Sequence, residues 1–156
     1  MIPITRLNHA VLFVRDLPRA VEFYKSAFGF DVISEMDGKA AFLRARGSLN
    51  HHDLGLFASS AELRPPLGTP GLYHLAWEVP TIDDLAAARA TLAEFGALIG
   101  ESDHGATKSL YGKDPDGNEF EIMWLVPRED WGEYEKDAVI ERLDLEGELA
   151  RYGRKS

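Results

Sequence analysis

The chain repeats itself, and that repetition constrains its architecture more than any other feature. Leu7-Asn8-His9-Ala10-Val11-Leu12-Phe13-Val14 aligns with Leu72-Tyr73-His74-Leu75-Ala76-Trp77-Glu78-Val79 at an offset of 65, with Leu, His and Val recurring in place. Both stretches are rich in β-branched and aromatic residues and read as strands. A helix start follows each, at Asp16-Leu17-Pro18 and at Pro80-Thr81-Ile82-Asp83-Asp84. Apolar residues then recur at helical spacing through Ala20, Val21, Phe23, Tyr24 and Phe28, and again through Leu85, Ala88, Leu92 and Phe95. Each helix closes on Phe-Gly, at Phe28-Gly29 and Phe95-Gly96, where glycine suits a left-handed C-terminal cap.

Short strands are expected after each helix: Phe30–Glu35, Ala40–Arg44 and Asp53–Phe57, then Ala97–Ile99, Lys108–Tyr111 and Glu119–Leu125. Turn signals separate them at Asp37-Gly38, Gly47-Ser48 and Asp114-Pro115-Asp116-Gly117-Asn118. The expected fold is therefore α+β, one domain made of two βαβββ modules over residues 6–58 and 72–126. A Pro/Gly-rich connector over 59–71 joins them, and a charged, helix-prone tail runs over 127–156. In that tail Trp131, Tyr134, Val139, Leu143, Leu145 and Leu149 line a loose apolar stripe, expected to pack across the sheet or on a second chain and to carry no chemistry.

Strand periodicity puts alternate side chains on opposite faces. With Ala10, Leu12 and Val14 under the helix, His9, Val11 and Phe13 face away. By the same rule His74, Ala76 and Glu78 share a face, as do Glu119, Glu121 and Met123. A histidine or carboxylate among large hydrophobes is costly to desolvate without compensation, and a metal ion is one compensator. The sequence has no cysteine, so any metal must be held by imidazole and carboxylate. The expected site is one divalent ion on His9, His74 and Glu121, with Glu119 as a nearby rival. A net charge of −9 with no basic run argues against nucleic acid as a partner. No apolar run reaches the roughly 18 residues that span a bilayer, and Met1–Val14 does not read as a signal peptide. No membrane association and a cytoplasmic location are expected.

Three motifs in order, LNHAVLFVRDL with EFYKSAFGF, then YHLAWEV, then DPDGNEFEI, resemble the vicinal oxygen chelate superfamily of glyoxalases, type I extradiol dioxygenases, fosfomycin-resistance transferases and bleomycin-binding proteins. The resemblance covers about residues 6–126. It implies that the two modules curl into an open mixed sheet around a metal cleft, with His9, His74 and Glu121 as the ligands. Counting by the repeat, a fourth ligand would fall at Leu56, where glyoxalase-type members place Glu or Gln; only aliphatic residues stand there, with Asp53 the nearest carboxylate. Two histidines, one carboxylate and open positions are typical of oxygen-activating non-haem iron(II).

Two further features are similar to extradiol ring-cleaving dioxygenases. The tandem His51-His52, at the start of an apolar strand, implies an acid–base role for the second member, His52. Tyr111 stands ten residues before Glu121 and matches a family tyrosine that donates a hydrogen bond to the bound catecholate or to oxygen, with His104 as a substrate-contacting histidine. The expectation is an iron(II) enzyme, with manganese(II) or another divalent ion as the alternative, that cleaves a small aromatic diol with dioxygen and works as a homodimer. The runner-up readings are a thiol transferase, an isomerase or epimerase, a glyoxalase-like enzyme, or a drug-binding protein of the same fold.

Overall fold

The structure is a computed structural model in which residues 1–61, 66, 68–137 and 139–154 are described. The chain divides into two compact units, Met1–Thr69 and Pro70–Ser156. Five residues of the proline-rich connector, 62–65 and 67, lie outside the described residues.

The first unit runs β1 (Ala10–Val14), α1 (Leu17–Phe28), β2 (Asp31–Met36), β3 (Ala40–Arg44) and β4 (Leu54–Ala58). Its sheet has the order β1-β4-β3-β2, with β1 parallel to β4 and the other pairs antiparallel. Asp16 caps α1 by accepting from the Arg19 N–H at 3.0 Å, and Gly29 ends it in the left-handed region at φ 67°. The amphipathic face of the helix buries Leu17, Ala20, Phe23 and Tyr24, and the sheet contributes the buried Leu12, Val14, Leu43, Leu54 and Leu56. Burying each such side chain stabilises the fold by about 1.5–3 kcal/mol.

The second unit repeats the plan with β5 (His74–Glu78), α2 (Ile82–Glu94), β6 (Leu98–Asp103), β7 (Thr107–Lys113) and β8 (Glu119–Leu125). Its sheet order is β5-β8-β7-β6, again with the first pair parallel. Thr81 caps α2, and Asp83 and Asp84 in the first turn favour its positive dipole end. The Asp114–Asn118 hairpin is held by one side chain. Asp114 Oδ1 accepts from the Asp116 and Asn118 N–H groups at 2.9 and 2.8 Å, which fixes where β8 begins. The two βαβββ modules thus appear as expected.

Strand ends differ from the sequence expectation by one to three residues at most sites. The largest difference is β6, which runs on through Gly100 to Asp103 although Glu101, Ser102 and Asp103 lack an apolar alternation. Its polar positions are satisfied by other means, including a bidentate pair from Arg89 to Glu101. The tail is less helical than expected. Arg128–Asp130 and Gly132–Glu135 form two short 3₁₀ turns, and among the described residues of the tail only Leu145–Tyr152 makes an α-helix, α3, capped by Asp144. This helix lies beside α2, with Tyr152 against Trp124 at 5.1 Å between ring centroids.

Candidate active site

In the second unit the register decides which side chains meet. Ala76 on β5 stands opposite Glu121 on β8, which stands opposite Tyr111 on β7, which stands opposite Gly100 on β6. One rung along, Glu78, Met123, Ser109 and Ser102 line up in the same way. The alternate positions, Phe120, Ile122, Trp124 and Leu110, are buried with the α2 core residues Ile82, Leu85 and Leu92. Polar chemistry and apolar packing therefore separate onto opposite faces of one sheet.

On the polar face His74 Nε2 lies 3.1 Å from Glu121 Oε2, with both side chains mostly buried. Two ligand atoms at about 2.1 Å from one ion and at right angles to each other would be about 3.0 Å apart, so this spacing fits a shared divalent metal. His74 Nδ1 is buried and has no hydrogen-bond partner among the described residues, so Glu121 is what orients the ring. Glu119, the rival carboxylate, instead faces Tyr73, whose phenol it holds above the ordinary value by accepting its hydrogen bond. Beyond Glu121, Tyr111 Oη is 2.8 Å from His104 Nε2, while His104 Nδ1 is 2.8 Å from the Val139 carbonyl. Burial, and then the Glu121 carboxylate, push the Tyr111 phenol up, against a smaller opposing effect of the Ser109 hydroxyl. At neutral pH it keeps its proton.

In the first unit the corresponding face is aromatic. Phe42 packs edge-on to Phe57 at 5.8 Å and to His52 at 5.0 Å, and His52 lies 4.5 Å from His9. Phe13, 71% exposed, extends the row at 6.5 Å from Phe57. His51 and His52 sit in the bend before β4 rather than on the strand as expected. His51 is exposed and His52 half-buried, with the two Nδ1 atoms 3.1 Å apart. Burial lowers the His52 pKa, helped by the neighbouring His9 and His51, so the neutral imidazole is favoured. The bend is rigid because Asp53 accepts from the Ala45 N–H, Ser48 and Asn50, and Asn50 donates to the Asn8 carbonyl at 2.8 Å. His9 Nδ1 is 2.9 Å from Asn8 Oδ1. Donation to that oxygen leaves the Nε2 lone pair for a metal.

The register also corrects the fourth place. Val11 pairs with Gly55 as Ala76 pairs with Glu121, so the counterpart of Glu121 is Gly55 and not Leu56. Leu56 points to the helix side and is fully buried. The second module carries one more residue between its parallel strands than the first, which shifted the count. A Cβ on Gly55 would meet Val11 at 3.3 Å and Phe42 and Phe57 at 3.6 Å. Among the described residues no group of three or more His, Asp or Glu side chains is gathered as a metal cluster. His74 with Glu121, His104 with Tyr111, and His9 with His52 come together as pairs.

Residues 6–122 match the Glyoxalase/Bleomycin resistance protein/Dioxygenase superfamily. The chain belongs to this superfamily. It is 35% identical over 154 residues to a catechol-2,3-dioxygenase of Bacillus subtilis (strain 168), covering 96% of this chain and 53% of that protein. It is 34% identical over 121 residues to biphenyl-2,3-diol 1,2-dioxygenase 3 of Rhodococcus globerulus, covering 76% and 62%. The superfamily member thus spans between about half and two thirds of the length of these two curated relatives. Among solved structures it is similar to a glyoxylase/bleomycin resistance protein/dioxygenase domain from Frankia sp. EAN1pec, at TM-score 0.67, 21% identity, and 80% and 95% coverage. That likeness speaks to the fold alone. Among the described residues no helix is long and apolar enough to cross a membrane.

Two features of this face are absent from the sequence reading. Ser109 shares the face of Tyr111 and is fully buried, yet an isolated strand serine gives no signal. The Val139 contact is made by a main-chain carbonyl, for which no residue type is diagnostic.

Proposed function

We propose that this chain is a metal-dependent extradiol dioxygenase that opens the ring of a small aromatic diol with dioxygen. The observation that carries the reading is the convergence of His74 and Glu121 at 3.1 Å on the face that also presents the Tyr111–His104 pair. His74 and Glu121 would hold the metal, with His9 as the third protein ligand that the family resemblance implies and iron(II) as the ion; two imidazoles and one carboxylate suit that ion and leave positions open. When bound, the metal supplies Lewis acidity that makes the diol a better acid and anchors both reactants side by side.

The side chains of the chain do the rest. Neutral His52 accepts a proton from the bound diol and later returns one to the ring-opening product. Tyr111, backed by His104, holds the anionic diol oxygen by a hydrogen bond and fixes the ring plane. Phe13, Phe42 and Phe57 provide aromatic surface on which a ring packs by offset or edge contacts. Gly55 at the place of a fourth ligand supports this reading over a glyoxalase-type isomerase, since it brings no donor atom.

The test is anaerobic loading of the full chain with iron(II), followed by aeration with a panel of catechols and a search for yellow ring-cleavage products. Turnover that is lost in Glu121→Gln and His74→Ala is the expected result. An iron-loaded chain that binds metal stoichiometrically but cleaves no catechol, while isomerising or conjugating another substrate class, would overturn it.

A further inference from the structure

We propose that the C-terminal segment is a working part of this site: the Val139 carbonyl selects the tautomer of His104, and the tautomer decides what the Tyr111 hydroxyl offers to a diol. The kinetic consequence rests on the ring-cleavage reading; the tautomer itself does not.

A carbonyl oxygen only accepts. His104 Nδ1, 2.8 Å from the Val139 oxygen, therefore carries a proton. A neutral imidazole protonated on Nδ1 has its lone pair on Nε2, and Nε2 is 2.8 Å from Tyr111 Oη. The tyrosine hydroxyl donates to it and turns its own oxygen lone pairs outward. Tyr111 then meets an incoming diol as an acceptor, in contrast to the donor role that the family resemblance implies. As the diol O–H proton moves to Tyr111 Oη, the tyrosine proton moves to His104 Nε2; two protons each cross one hydrogen bond, and one positive charge passes from the diol to His104. His104 is then an imidazolium still held by Val139, and Tyr111 donates to the oxygen that lost its proton. With the opposite tautomer Nε2 would already carry a proton and the pair could accept none.

The segment is anchored on both sides of Val139. Tyr134 lies against the backbone of Gly105, so close that a Cβ there would fall 2.3 Å from its ring. Asp103 and Glu141 exchange two main-chain hydrogen bonds of 2.9 Å. Buried Lys108 then ties Asp103, at 2.6 Å, to Glu148 of α3, at 3.3 Å. Three independent contacts set one carbonyl, which makes its position a built feature of the unit.

The test uses the full chain labelled with ¹⁵N-histidine and kept diamagnetic with zinc. Long-range proton–nitrogen correlations identify the protonated ring nitrogen of His104, assigned with His104→Gln. The expected result is the Nδ1–H form in the wild type. Glu141→Pro, at an exposed site, removes the N–H that bonds Asp103; Tyr134→Ala, also in the full chain, removes the ring that lies against Gly105. Both should move His104 toward the Nε2–H form. In Glu141→Pro, kcat should fall about tenfold with KM within about twofold, part of what a positioned acid–base group contributes. An Nε2–H wild type, or an undiminished Nδ1–H form in both variants, would overturn the proposal. The expected tautomers in a chain that cleaves no catechol would uphold it and refute the ring-cleavage reading instead.

Discussion

Glu121→Gln separates what the metal contributes from what the fold contributes. The substitution keeps the shape of the side chain and removes its charge. In the metal-free chain it costs the His74 pair, a contact between side chains only 12% and 25% exposed, and breaking it should cost about 1 kcal/mol. With metal the effect is larger. A ligand present at a hundred times its dissociation constant stabilises the folded state by about 2.7 kcal/mol. For a chain of 156 residues each kcal/mol moves the melting temperature by about 2–4 °C. The wild type should therefore gain roughly 5–10 °C on saturation with a divalent ion, and Glu121→Gln should gain almost none. Scanning calorimetry of both proteins, with chelator and with metal, gives the four values needed. Bound metal should fall in parallel when measured by elemental analysis. If Glu121→Gln gained as many degrees as the wild type, Glu121 would not be a ligand, however well the spacing to His74 suits one.

His52→Ala should bind metal and diol normally yet cleave the ring about a hundredfold to ten-thousandfold more slowly, whereas exposed His51→Ala stays within a few-fold; stopped-flow rates would show the ranking, and the reverse order would refute it. Asp53→Asn should destabilise the first unit by about 2–3 kcal/mol at pH 7, since three donors lose a charged acceptor. Burial raises the Asp53 pKa, but those hydrogen bonds more than offset it, so its folded value is depressed. Its stabilisation is therefore present above the ordinary carboxylate range and lost as pH falls through the folded value, and urea midpoints of the two proteins should converge in acid. Tyr152 runs the other way: burial, then its hydrogen bond to Asp130, push its phenol up to about 12. Protonated Tyr152 stabilises the folded chain below the ordinary phenol value, and that stabilisation disappears as pH rises through about 12. Absorbance titration of Asp130→Asn should show one tyrosine ionising at lower pH than in the wild type.

The fold was legible because two independent periodicities agree in both copies. Phe120, Ile122 and Trp124 are buried and Glu121 and Met123 are not, as alternation requires. The pairing of His74 with Glu121 followed from the same alternation. The counterpart of Glu121 did not, because residue counting assumes equal loops and the second module holds one residue more. His51 and His52 were read as part of a strand, but Asp53 gathers three donors around itself and turns that stretch into a bend. The tail was hardest to read. Its composition suggested a helix-prone segment packing through one loose apolar stripe, whereas Lys108 draws Glu148 inward and Asp103 recruits the backbone of Glu141. Such contacts depend on where a sheet edge stands, which no local pattern encodes.

That edge has a consequence for how the molecule fails. β6 is the last strand of its sheet, and beside Asp103 its open hydrogen-bonding side is closed by Glu141. An uncovered strand edge is a template for pairing with another chain. The same stretch thus serves as a guard against self-association and as the support for His104. Damage that lifts it away, whether by proteolysis or by substitution, would surface as clumping and as weakened chemistry in a single event.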